Sequence, residues 1–148
     1  MSFQERRALI SLISTLLIAG LYSAYMLQRQ PSADPYAPET FQFWGTFFVL
    51  LIPVSIASRI VINIVFMIMN TIVTRETETE KRDERDNLIE LKATRNSLYS
   101  FAIGVILAMG ALALNQPPNV MFILLIIAGV TAEVVSELSQ FYFYRRGY

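Results

Sequence analysis

Long apolar runs alternate along this chain with polar breaks, and the longest break sorts the runs into two pairs. Ala8 to Leu27, ALISLISTLLIAGLYSAYML, carries no charge. About 20 residues at about 1.5 Å each cover the roughly 30 Å hydrocarbon layer of a bilayer, so a first membrane-spanning helix is predicted. Arg6 and Arg7 before it resemble the basic start of a signal peptide. The apolar part outruns the roughly 7 to 15 residues of such a peptide, so an anchor retained in the protein is expected. The break QPSADPYAPET follows. Its Pro31, Pro35 and Pro38 deny the backbone a continuous helix, while Asp34 and Glu39 hold it in water. Tyr36, Phe41, Phe43 and Trp44 stand where an aromatic belt is expected at a membrane surface.

The second predicted span, Phe43 to Thr71, is longer than one crossing needs, which implies tilt or protrusion. Pro53 is expected to bend it. Ser55, Arg59, Asn63 and Asn70 recur at intervals of four or seven and so share one side, with Ile56, Ile60, Val61, Ile64 and Val65 on the other. The third span, Leu98 to Leu114, carries the small residues Ser97, Ser100, Gly104, Ala108 and Ala111 at spacings of three and four. Such a seam lets a neighbouring helix approach closely. Asn115 to Asn119, NQPPN, is a tight turn, so the third span and the fourth, Val120 to Phe143, are antiparallel neighbours. The fold expected is all-α: one integral membrane domain over residues 1–148, a four-helix transmembrane bundle.

Composition sharpens this picture. Apolar residues make up 54% of the chain, and its 12 basic and 12 acidic residues are clumped, as lipid solvation demands. The break from Arg75 to Arg95 holds Arg75, Lys81, Arg82, Arg85, Lys92 and Arg95 against Glu76, Glu78, Glu80, Asp83, Glu84, Asp86 and Glu90, and it must sit in water. With four spans, Arg6, Arg7, these six basic residues, Arg145 and Arg146 fall on one side, and only Arg29 lies in the opposite loops. The positive-inside rule then puts both termini and the 75–95 stretch in the cytoplasm. The chain has no cysteine and no histidine, which removes the usual soft metal ligands, the thiolate nucleophile and the commonest general base. No metal or other cofactor is expected, and no enzymatic activity. An intramembrane enzyme would have to build on Ser55, Ser58, Ser136 and two glutamates, with no ordinary base for the serines. Nucleic-acid binding would need an uncancelled basic face, and none is present.

Thr77 and Glu80 have the spacing of a capping box, and Lys81 to Arg95 contains no helix breaker, so a helix running into the third span is expected, with Leu88 and Leu91 on its apolar side. Three uses of the stretch compete: a divalent-cation site, a lipid-headgroup site, and a docking surface built on Asp83, Glu84, Arg85, Asp86, Glu90 and Lys92. The carboxylates lack the glycine and spacing of a calcium loop. The string DERDNLIELKATRNSLYSF, Asp83 to Phe101, leads into an apolar span, a short turn and a last span ending in YRRG. In this it resembles uncharacterised small four-span bacterial membrane proteins with a DER-x-x-x-I-x-x-K-A motif before the third helix. The motif falls on Asp83, Glu84, Arg85, Ile89, Lys92 and Ala93. The resemblance implies an accessory or regulatory role in the membrane and no catalytic residues. Some members of such families are thought to be encoded beside small helix-turn-helix regulators.

Inside the second and fourth spans, Arg59 and Glu133 both lie near mid-bilayer. A lone charge there costs at least roughly 2.5 to 3.5 kcal/mol, so Arg59 and Glu133, at comparable depth on parallel spans, are expected to pair. Glu137 lies one turn from Glu133, and Ser136, Gln140 and Tyr144 continue that side, facing Asn63 and Asn70 across a cytoplasm-facing crevice. The second carboxylate must take a proton, meet water or hold a cation. Two functions follow from this constellation. One is a scaffold or regulatory protein whose Arg59–Glu133 pair docks the two hairpins and whose 75–95 stretch binds a partner, with self-association or another membrane or cytoplasmic protein as that partner. The alternative is a small proton- or cation-coupled transporter using Glu133 and Glu137. In size it resembles four-helix multidrug exporters, but those carry their glutamate in the first span, and this first span has no charge.

Overall fold

The computed structural model describes residues 3–31, 34–74 and 84–146. These residues form the helices α1 (Phe3–Leu27), α2 (Pro38–Thr74), α3 (Glu84–Ala113) and α4 (Pro118–Arg146), with no strand among them. Each helix is long and apolar enough to cross a membrane. Thr77, Glu80, Asp83 and the side chain of Asn70 lie outside the described residues.

Local chemistry sets the helix ends. Pro38 opens α2 at the position where a missing N–H costs nothing. The carbonyl of Asp34 receives Ala37 N–H at 2.9 Å and the Thr40 hydroxyl at 2.9 Å, which closes the turn in front of it. α3 ends at Asn115, whose φ of 58° is the left-handed conformation asparagine tolerates. There Asn115 N–H reaches Leu112 O and Gln116 N–H reaches Ala111 O, both at 3.0 Å, so two terminal carbonyls are satisfied. Pro118 then starts α4 as Pro38 starts α2. α2 runs unbroken through Pro53 for 37 residues. At about 1.5 Å per residue it is far longer than a bilayer crossing requires.

The cross-links show an up-down-up-down order. Tyr22 donates to Phe47 O at 2.7 Å and Arg7 Nη2 to Asn63 Oδ1 at 3.4 Å, so α1 and α2 are antiparallel. Asn96 donates to Ser139 at 3.2 Å, and the Lys92 ammonium lies 5.8 Å from the centre of the Phe143 ring, so α3 and α4 are antiparallel too. The start of α1, the end of α2, the start of α3 and the end of α4 therefore share one end of the bundle, the terminal end. The end of α1, the start of α2, the end of α3 and the start of α4 share the other, the turn end.

α3 lies along α4 most extensively, α1 lies on α4 next, and α2 leans on α1. Gly104 explains the close α3–α4 contact: a Cβ there would collide with the Ala128 methyl and come within 3.0 Å of its backbone. Ala93 and Ala108 are buried on the same seam. Ile89, one turn before Ala93, continues it and is buried, whereas Leu88 and Leu91 are exposed. The apolar side marked by Leu88 and Leu91 is thus not the side that meets α4: small residues let α4 approach, and the face they occupy decides which side turns inward.

At the turn end Met26, Trp44 and Phe47 form a buried cluster with Tyr22, Phe43, Phe48 and Phe122 around it. Trp44 is fully enclosed. Its ring stacks on Phe122 with centroids 5.2 Å apart and 14° between planes, and its Nε1 donates to Asn119 Oδ1 at 2.8 Å. Tyr36 and Phe41 are exposed, but Trp44 is a core residue rather than part of a surface belt, because the turn before α4 offers its N–H an acceptor.

Candidate functional site

Every fourth residue of α1 from its basic start is charged or small: Arg7, Ser11, Thr15, Ala19 and Ser23. A spacing of four puts them on one stripe, and that stripe forms one wall of a cavity of about 630 Å³. The second wall is α2, with Phe48, Leu51, Ser55, Arg59, Asn63 and Phe66; the third is α4, with Phe122, Ile126, Gly129, Glu133, Glu137 and Gln140. α3 adds Asp86, Glu90 and Phe101. The volume falls in the range of small-molecule sites.

The cavity is graded along its length. Toward the turn end its lining is Ser23, Phe48, Leu51, Phe122 and Ile126, and beyond it lie the buried Trp44, Phe47 and Met26. That end is shut. Toward the terminal end the lining becomes Arg7, Asp86, Glu90, Gln140 and Tyr144. Halfway along, Arg59 forms an ion pair with Glu133. Their side chains are 53% and 43% exposed, so the pair spans an opening on the flank of the bundle instead of lying in a dry core.

Among the described residues, Glu137 is the carboxylate enclosed by protein, at 8% exposure. It accepts the Ser11 hydroxyl at 2.6 Å, the short distance of a bond to a charged oxygen. Arg59, Glu133 and Arg7 are within electrostatic reach of it. Among the described residues, the charged side chains along the lining are Arg7, Arg59, Asp86, Glu90, Glu133 and Glu137.

The structure brings Ser55, Arg59, Asn63, Glu133, Glu137 and Gln140 around one space. The charged residues of the stretch before the third span are divided: Asp86 and Glu90 line the cavity, Lys92 lies over Phe143, and Glu84 and Arg85 are exposed. Ser100, Gly104 and Ala108 stand on the α3 seam, away from the cavity. The sequence reading missed Ser11 and its stripe because a hydroxyl in an apolar run raises no alarm, although the four-residue repeat was there to see. Among the described residues no group of three or more carboxylates is placed to hold a metal ion. No family model, curated protein or solved structure matches this chain, so its function has to be argued from the cavity itself.

Proposed function

We propose that this chain lies in a lipid bilayer and binds a small ligand in the α1–α2–α4 cavity, as a transporter of the proton- or cation-coupled kind. The observation that carries this reading is an enclosed carboxylate, Glu137, in a cavity whose lining is apolar toward the turn end and charged toward the terminal end. Arg59 balances Glu133, while Glu137 has a hydroxyl as its hydrogen-bond donor. An arriving proton or cation has a partner there. Embedded acids arranged in this way serve as relays and ion sites in membrane proteins. The apolar outer surface of α2, from Val49 to Ile72, supports insertion. The basic residues at the terminal end support a cytoplasmic position for that end in a bacterial inner membrane.

Gly129 gives a clean test, because it lines the cavity and an added Cβ would meet nothing within 4 Å. Gly129→Phe should fill the space without moving a helix, and replacing a helical glycine favours the helix by up to about 1 kcal/mol. Proteoliposomes on a charge-sensing surface would be given jumps in proton, sodium and organic-ion concentration. At least one jump should evoke a transient current in the natural protein, reduced to the lipid background in Glu137→Gln and in Gly129→Phe. Silence in the natural protein, or currents untouched by both replacements, would remove the transport reading.

A second reading is favoured by Leu88 and Leu91, which are exposed beside Glu84, Arg85 and Glu90 where α3 begins. Apolar side chains on a charged helix end fit a protein partner, as an accessory or regulatory role would need. Leu88→Ser with Leu91→Ser should abolish recovery of that partner by a tagged chain from cross-linked cells and leave the ion currents intact. Undiminished recovery would sink this reading.

A further inference from the structure

We infer that the cavity takes a neutral amphiphile, an apolar tail carrying a head with several hydroxyls, as in a glycoside or a glycerol ester. This rests on the proposal that the cavity binds a ligand and adds the ligand's chemistry. Thr15, Ser55, Ser58 and Gln140 line the space, each half-buried, and none of them makes a hydrogen bond to another described residue. Thr46 and Thr71 of α2 behave otherwise: they donate to the carbonyls of Gln42 and Met67, both at 2.9 Å, so each is satisfied on its own helix. Among the described residues no side-chain polar atom is buried without a partner, so the polar atoms of Thr15, Ser55, Ser58 and Gln140 reach the space they line. They keep donors and acceptors for whatever enters it.

The order along the cavity sets how such a guest lies. On α2, Phe48 and Leu51 come first from the turn end, Ser55 and Ser58 next, and Arg59 with its partner Glu133 after them. A tail seated among Phe48, Leu51, Phe122 and Ile126 puts the head beside the hydroxyls and the ion pair. The charges at that depth already have protein partners: Arg59 pairs with Glu133, and Glu137 accepts from Ser11. What the half-exposed pair still offers is a set of guanidinium donors beside carboxylate acceptors. A diol uses both sides, because one hydroxyl donates to the carboxylate while its neighbour accepts from the guanidinium. A quaternary ammonium can neither donate nor accept, and a sulfate ester only accepts, so either leaves polar groups of the wall unmatched. Arg7, Asp86 and Glu90, nearer the terminal end, have partners of their own, so the choice does not rest on their charge. α2 and α3 do not pack along each other, which lets a molecule dissolved in the membrane enter from that flank.

Trp44 is the chain's single tryptophan and stacks on Phe122, a cavity-lining ring, so its fluorescence reports occupancy. The protein in phosphatidylcholine nanodiscs would be titrated with octyl glucoside, octyltrimethylammonium and octyl sulfate, which share a tail and differ in the head, with empty discs as the blank. Octyl glucoside should bind about tenfold more tightly than either charged probe, the effect of one or two added hydrogen bonds. Ser55→Ala with Ser58→Ala removes two hydroxyls from the wall and puts a strong helix former at each position, so folding is spared. This variant should cost octyl glucoside about tenfold and move the other two probes by less than about twofold. Gly129→Phe should abolish the response to all three. Equal binding of the three heads, preference for a charged head, or a glucoside preference that survives the loss of both hydroxyls would overturn the hydroxylated ligand, and loss of that binding in Gly129→Phe would show that the cavity reading stands. No probe response that Gly129→Phe removes would overturn both.

Discussion

Glu133→Gln is expected to lower the unfolding free energy by about 3 kcal/mol, and adding Arg59→Leu to it is expected to restore most of that loss. The two side chains pair across the flank opening of the cavity, about midway along spans whose outer faces are apolar. Removing the carboxylate leaves a guanidinium that cannot give up its proton, at a depth where a lone charge costs roughly 2.5 to 3.5 kcal/mol. Arg59→Leu by itself should cost less, about 1 to 2 kcal/mol, since an orphaned carboxylate can become neutral by binding a proton. The double replacement leaves no orphan. Equilibrium unfolding of the four proteins in the same lipid or mixed-micelle system gives the coupling free energy directly. Additive losses would mean that the pair contributes no mutual stabilisation and that its flank is open to water at all times.

That cycle tests a contact legible in the sequence by counting residues from the ends of two apolar runs, because a charge inside a span has few places to go. The same logic marked Glu137, Gln140, Ser55 and Asn63. Features without a comparable penalty were harder to read. Ser11 donates to Glu137, yet a serine in a span can satisfy itself on its own helix backbone, so nothing in the residue type demands a partner. Leu88 and Leu91 mark an apolar side by hydrophobicity and are exposed, while the small residues Ala93, Gly104 and Ala108 decide how close α4 comes and turn Ile89 toward it. The grading of the cavity was also invisible, because it depends on where α2 departs from α4. The aromatic cluster keeps those helices together at the turn end, and below it they are joined by the long side chains of Arg59 and Glu133.

Trp44→Ala should therefore do more than loosen a core. The ring is fully enclosed, stacks on Phe122 and packs against Phe43 and Phe47 at centroid distances of 5.3 and 5.6 Å. Truncating such a residue costs about 3 to 5 kcal/mol through lost contacts and the void left behind, and here it also strips Asn119 of its donor. Trp44→Phe keeps most of the ring and loses the hydrogen bond, so a loss nearer 1 kcal/mol is expected. The larger consequence concerns access, since the Trp44 cluster is what lies between the cavity and the turn end. The chain has no cysteine, so Ser55→Cys installs a single thiol in the cavity wall that an impermeant reagent can report from either side of a vesicle. With Trp44 in place the thiol should react from the terminal end and stay protected from the turn end; in Trp44→Ala it should react from both, and in Trp44→Phe protection should persist. Protection that survives Trp44→Ala in folded protein would show that the seal lies elsewhere, and would shift attention to Phe48 and Phe122, the rings that already line the cavity beneath it.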